Sequence, residues 1–175
     1  MSDLALSSGA SFHRGKSKQD YQTPNDFREA VSLKFGYPSF DLAADGVNSF
    51  CAHRGMRQFF TIEDDSLNQD WISLATPKYQ PDNKLLLWLN PPFDSIAPWA
   101  KKCADSSPAC HILFLVPASV GSNWFRDYVH NRAFVHFLNG RIHFDLANPS
   151  WGYPKDCILA EYGTNRIGYD VWKWK

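Results

Sequence analysis

The chain has 175 residues, 44% hydrophobic and 15% aromatic, which suits one globular domain with a sizeable core and excludes a disordered polypeptide. Eighteen basic and eighteen acidic residues give a formal net charge of zero, which argues against adhesion to nucleic acid through bulk positive charge and leaves only a local basic rim for that purpose. No apolar run approaches the ~20 residues of a membrane-spanning helix and no signal peptide is evident, so the expected compartment is the cytoplasm.

Residues 1–19 are rich in Ser, Gly and basic side chains without periodicity, and they read as a mobile arm ahead of a single domain over 20–175. An alternative use of that arm is contact with phosphate through His13, Arg14, Lys16 and Lys18. Phe27, Ala30, Val31 and Phe35 share one apolar face of a helix running to Phe35, with Thr23 as N-cap and Pro24 at the first helical position. The unpaired N–H groups of such a helix start suit a carboxylate. Gly36 ends the helix, and Ser39 to Ala44 reads as the first central strand. Asp41 at its carboxyl end lies in apolar company and needs a partner, because burying an unpaired carboxylate is costly. Ala43, Ala44 and Gly46 are small enough for close approach of a ligand.

His53, Arg54 and Arg57 belong either to a solvated loop or to a basic rim, followed by a short strand over 58–61. The four cysteines form no CxxC pair and read as reduced, structural thiols; Cys51 and His53 lack a second pair with metal-binding spacing. Glu63, Asp64 and Asp65 stand in an acidic, turn-prone segment, and 72–84 reads as a loop.

The stretch Leu85 to Phe93, LLLWLNPPF, is the most informative. Its apolar run is a strand buried on both faces of a parallel sheet, and two prolines stop it at its carboxyl end, where open α/β sheets place ligands. Asn90, Pro91, Pro92 and Phe93 offer an amide oxygen, proline carbonyls and an aromatic face there, a set that suits a planar base bearing an exocyclic amino group. A helix over 94–104 with Ser95 as cap, a buried strand over 110–116 and a short helix over 122–131 follow. Trp124 and Phe125 read as core. Segments 133–138, 140–144 and 157–162 read as late strands, and the aromatic tail 169–175 either seals the core or extends a basic surface. The loop 145–156 brings Trp151 and Tyr153 near Arg141, His143 and Lys155, a combination suited to an extruded nucleotide and its phosphates. Alternating strands and helices give one α/β domain with a mostly parallel sheet.

Tyr21-Gln-Thr-Pro24, Phe40-Asp-Leu-Ala-Ala44, Asp64-Asp-Ser-Leu67, Asp70-Trp71, Asn90-Pro-Pro-Phe93, Trp124-Phe125 and Gly140-Arg141 come in one order. In that order they resemble the phage-type DNA N6-adenine methyltransferase (Dam-like) family, from about residue 20 to residue 162. The resemblance implies a single Rossmann-like methyltransferase domain with an antiparallel strand near the C-terminus, S-adenosylmethionine as cofactor and double-stranded DNA as substrate. It also implies a base flipped into the Asn-Pro-Pro-Phe pocket, no metal, and a phage or bacterial host. By the same resemblance Tyr21, Thr23, Pro24, Asp41, Ala43, Asp64 and Asp65 border the cofactor, Asp41 meeting its ammonium group and Asp65 best placed for the adenosine. Asp64 is the runner-up and Glu63 the alternative facing the ribose. Competing readings are the same chemistry on cytosine N4, an RNA adenine or a protein glutamine, and an inactive relic that binds nucleic acid. The chain has little room for a separate target-recognition domain, so a short recognition sequence is expected.

Overall fold

A computed structural model of the protein describes residues 21–45, 49–51, 58–75, 85–144 and 153–175. Four successive apolar residues cannot offer a wet face to an alternating strand, and Leu86–Leu89 accordingly forms β2 with every side chain buried. It lies between two parallel neighbours, β1 (Phe40–Asp41) and β3 (His111–Pro117). The sheet continues with Cys157–Tyr162 (β5), which runs antiparallel to β3 and to Phe134–Asn139 (β4), and ends with Gly168–Lys173 (β6), parallel to β4. The six strands stand in the order β1-β2-β3-β5-β4-β6, with β5 alone reversed. The expected α/β class, the mostly parallel sheet and the antiparallel strand near the C-terminus are all present.

Alternation along the strands feeds two cores. Leu87, Leu89, Ile112, Phe114 and Val116 pack with Trp71 of α2 (Trp71–Ala75), with Ala100 and Cys103 of α3 (Ile96–Ser106), and with the partly buried Phe125 and Tyr128 of α4 (Asn123–Tyr128). Leu86, Trp88, Leu113, Leu115 and Leu159 pack with Phe27 and Val31 of α1 (Asn25–Phe35), with Phe50 and with Trp174. Each fully buried side chain of this kind stabilises the fold by ~1.5–3 kcal/mol. All four cysteines are free and buried. No helix among the described residues is long and apolar enough to cross a membrane.

Several local expectations give way to tertiary partners. The loop expected from residue 72 begins inside α2. The helix expected over 122–131 is confined to α4, capped by Ser122, whose hydroxyl accepts from Phe125 N at 3.4 Å. α3 starts at Ile96 with Ser95 in the N-cap position but no side-chain hydrogen bond. Pro98 is tolerated because it falls in the first turn, where N–H groups have no intrahelical partner. The strand expected over 140–144 does not form. β4 is already paired on both edges by β5 and β6, and Gly140, at φ +116°, turns the chain away while its carbonyl accepts from Trp174 Nε1 at 2.7 Å. The segment keeps its alternation, with Ile142 and Phe144 buried and Arg141 and His143 exposed. The tail supplies β6, whose Tyr169 and Val171 stay exposed, and Trp174, which joins the core.

At the amino ends of the parallel strands, Glu161 accepts from His111 Nε2 at 2.9 Å and faces His136 Nε2 at 3.3 Å, while His136 Nδ1 meets Asp170 at 2.7 Å. Burial works against the Glu161 charge, but these two imidazole contacts outweigh it and bring its carboxyl down to about 2. The turn leaving β5 depends on Gly163, at φ +79°, where a Cβ would stand 1.7 Å from the Cys110 carbonyl oxygen. Gly163→Ala is expected to lower stability by about 3 kcal/mol, measured by urea denaturation, because backbone rather than a movable side chain blocks the methyl group.

Candidate active site

The carboxyl ends of β1 and β2 open on a cavity of about 450 Å³, a size typical of small-molecule sites. Its floor comes from Asp41, Leu42, Ala43, Ala44 and Trp88, one wall from Tyr21 to Thr23, and another from Thr61 to Glu63 and Asp65 to Leu67. β1 holds its end in place through Leu42 N to Trp88 O and Ala44 N to Phe60 O, both 2.8 Å. Asp41 is 3% exposed, and its carboxylate accepts from Phe50 N at 2.8 Å and Ala43 N at 3.2 Å. The partner its burial demands is thus present in the backbone. Burial still dominates and raises its carboxyl from 3.8 to about 6.

Asn90 follows β2 directly, and the two prolines after it keep the chain from extending the ladder. Its Nδ2 donates to the Tyr21 carbonyl at 2.7 Å and to Thr23 Oγ1 at 3.1 Å. Its Oδ1 is buried and accepts no hydrogen bond among the described residues. A buried acceptor without a donor costs free energy unless a ligand satisfies it. Pro92 also lines the cavity, while Pro91 is buried and outside its lining.

Thr23 keeps its place at the cavity wall but does not cap α1. The helix begins at Asn25 with Pro24 as N-cap, and the Thr23 hydroxyl is engaged by Asn90 instead. Pro24 is outside the cavity lining. The acidic segment divides by backbone geometry. Asp64 turns back to accept from Thr61 N at 2.7 Å and Thr61 Oγ1 at 3.0 Å, so it shapes the first 3₁₀ turn, Ile62–Asp64, and does not line the cavity. Asp65 adopts a left-handed conformation at φ 48° and lines the cavity beside Glu63. Lys102 ties α3 to this wall by donating to the Leu67 and Gln69 carbonyls, each at 2.6 Å. Four carboxylates (Asp41, Asp45, Glu63 and Asp65) line the cavity, and no lysine or arginine does among the described residues. That charge suits a cationic ligand.

Phe93 is half-buried and outside the lining of the cavity, within a cluster of four rings. Tyr21 stacks on it at 5.5 Å and 26°, while Phe144 and Tyr153 meet it edge-on at 5.9 and 5.5 Å. Tyr153, which the sequence offers as a contact for an extruded nucleotide, is 6% exposed, and burial pushes its hydroxyl pKa up. The physical reason is its ring contacts with Tyr21, Phe93 and Phe144 and its backbone N–H bond to the Ile142 carbonyl at 3.1 Å. Arg141 and Lys155 are exposed beside this cluster, Arg141 lying 3.9 Å from Asp156. Trp151, Gly46, His53, Arg54, Arg57 and the arm over 1–19 lie outside the described residues. No cluster of metal-ligating side chains occurs among the described residues. Sequence reasoning missed Phe144 as a neighbour of Phe93 and Trp99 as a cavity residue. The alternation of Ile142 and Phe144 signalled an inward ring, but nothing in it named the ring's partner.

An open sheet with one reversed strand near its C-terminus, and a ligand cavity at the carboxyl ends of its first two strands, is the frame of a Rossmann-like methyltransferase. The family model described as DNA N-6-adenine-methyltransferase (Dam) matches residues 11–162. The chain belongs to that family and is an adenine-specific DNA methyltransferase. Enzymes of the family take their methyl group from S-adenosylmethionine and act on DNA. No curated protein matches the sequence.

Proposed function

We propose that this protein binds S-adenosylmethionine in the acidic cavity and methylates N6 of an adenine flipped from double-stranded DNA into a pocket built by Asn90, Pro91, Pro92 and Phe93. The observation that carries this reading is the buried Asn90 Oδ1 at that cavity, which has no hydrogen-bond partner among the described residues. When bound, the cofactor supplies an electrophilic methyl group on positively charged sulfur, and the four carboxylates that line the cavity fit that charge.

The exocyclic nitrogen of adenine is a poor nucleophile because its lone pair is delocalised into the ring. Asn90 Oδ1 and the Pro91 carbonyl accept its two hydrogens, favour a tetrahedral nitrogen and aim the lone pair towards the cavity. They also stabilise the positive charge that develops on nitrogen. Phe93 stacks on the base and fixes its plane, so much of the catalysis is positioning. Flipping is needed because the amino nitrogen is not reachable inside a duplex. Asp65 and Glu63 serve the adenosine, Asp64 holds the turn that presents them, and Tyr21 and Ala43 border the cofactor. Arg141, Lys155, Trp151 and Tyr153 form the DNA side, Tyr153 by supporting Phe93 from below.

Transfer of labelled methyl from S-adenosylmethionine to unmethylated duplex DNA, with nucleoside analysis, tests the proposal. N6-methyladenine is the expected product, and labelled N4-methylcytosine or an unlabelled duplex would overturn the base assignment.

Asp41 adds a pH signature. Its raised pKa leaves the carboxyl largely neutral below pH 6 and ionised above it, and a cationic ligand favours the ionised form. Affinity for S-adenosylmethionine is expected to fall about tenfold between pH 7.5 and pH 5, followed by calorimetry. A flat affinity over that range would remove Asp41 from the cofactor's charge balance.

A further inference from the structure

We infer that the carboxyl end of β6 is a further part of the DNA surface, with Lys173 and Lys175 extending Arg141 and Lys155 into one phosphate-binding strip. This rests on the proposed function and deepens it, by giving the duplex a course along the sheet edge.

Strand direction places these side chains. β2, β3, β4 and β6 all point the same way, and β5 alone is reversed. The carboxyl ends of β4 and β6 and the amino end of β5 therefore share the sheet edge that carries Asn90. Lys155 precedes β5, Arg141 follows β4, Lys173 ends β6 and Lys175 comes after it, and all four are exposed. Four strand spacings separate β2 from β6. At ~4.8 Å each they make roughly 19 Å, a length over which one strand of a duplex presents about five phosphates. The charge of this edge is thus divided. Carboxylates line the cavity at β1 and β2, where a cationic cofactor fits, and cations stand at β5, β4 and β6, where a polyanion fits. The formal net charge of zero conceals that division.

The cations sit on fixed backbone. Lys173 pairs in register with Asn139 of β4. Trp174 Nε1 donates to the Gly140 carbonyl at 2.7 Å, and the Trp174 ring meets Phe27 edge-on at 4.9 Å, so the segments bearing Arg141 and Lys175 are tied together. Lys175 Nζ lies 4.4 Å from the centre of the Trp174 ring. Lys175 stands 3.3 Å from Asp26, and Arg141 stands 3.9 Å from Asp156. Both are exposed ion pairs, which hold weakly enough for a phosphate to replace the carboxylate. β6 lies beyond the stretch shared with the family, which ends at residue 162.

The test follows the affinity for labelled duplex DNA by fluorescence anisotropy over about 0.05–0.3 M salt, with S-adenosylhomocysteine present. It compares wild type with Lys173→Gln, Lys175→Gln, the double variant, Lys173→Arg, Lys175→Arg and Arg166→Gln. Arg166 precedes β6 at its amino end, 3.8 Å from the Phe134 ring centre, so its loss removes the same charge from the opposite edge. Each lysine-to-glutamine variant is expected to weaken binding about fivefold near 0.1 M salt and to reduce the slope of log affinity against log salt by about one. The double variant loses about two. Arginine at either position restores both readouts, and Arg166→Gln changes neither. Melting curves and calorimetric affinity for S-adenosylmethionine stay at wild-type values in the lysine variants, which separates a lost phosphate contact from a loosened fold. Wild-type affinity and slope in the double variant would overturn the inference. So would an equal loss in Arg166→Gln, which would reduce the effect to net charge. Methyl transfer by the wild type separates the two levels. If it methylates DNA and the double variant binds as tightly, only the strip fails. If it neither binds nor methylates duplex DNA, the proposed function fails and the strip with it.

Discussion

Asn90→Ala is expected to lower kcat by ~10²–10³-fold, the range seen when one preorganised electrostatic partner of a reacting group is removed. The affinity for S-adenosylmethionine should change little, because Asn90 spends its NH2 group on Tyr21 and Thr23 and its buried oxygen at the cavity's edge. The loss belongs to kcat, because both accepting oxygens strengthen as charge grows on the nitrogen, whereas base stacking on Phe93 is already complete in the bound state. Steady-state transfer of labelled methyl to DNA gives kcat, and calorimetric titration gives cofactor affinity. A melting curve guards against the alternative that the freed Tyr21 carbonyl loosens the wall. A variant with near-normal kcat would remove the amide from catalysis.

The parts of this site that were legible in the sequence are those set by local rules. LLLW with no polar alternation admits only a strand buried on both faces, and the following Pro91-Pro92 fixes where it ends. The periodicity of Phe27, Ala30, Val31 and Phe35 gave α1 and its end at Phe35, while its start falls one residue later than a Thr23 cap implies. What was not legible depends on partners distant in the chain. Thr23 satisfies every local criterion for an N-cap, but Asn90, 67 residues away, takes its hydroxyl. Among Glu63, Asp64 and Asp65, the left-handed backbone at Asp65 and the bonds from Thr61 to Asp64 decide which side chains face the cavity. Ile142 and Phe144 alternate as a strand does, yet β6 had already taken the edge they would need. Tyr153, in a segment rich in Gly and Pro, carries no periodicity to betray that its ring is buried.

Phe93→Ala is expected to reduce kcat/KM for DNA about 10–100-fold, the worth of one base–aromatic stacking contact, while Phe93→Tyr stays near wild type. The structure explains the asymmetry. Tyr21, Phe144 and Tyr153 surround the Phe93 ring, so its plane is set before any base arrives. Phe93 nevertheless remains half-buried, which gives a para hydroxyl a route to solvent and makes tyrosine compatible with the cluster. Alanine removes both the stacking face and a quarter of a four-ring cluster, so part of its effect is on stability, ~2 kcal/mol for a partly buried aromatic. Two readouts separate these contributions. The melting temperature reports the cluster, and the fluorescence of 2-aminopurine at the target position reports whether the base has left the helix and stacked. Loss of kcat/KM with quenched, stacked 2-aminopurine signal intact would assign the loss to packing alone. Unchanged kcat/KM in Phe93→Ala would mean that the base does not stack on Phe93.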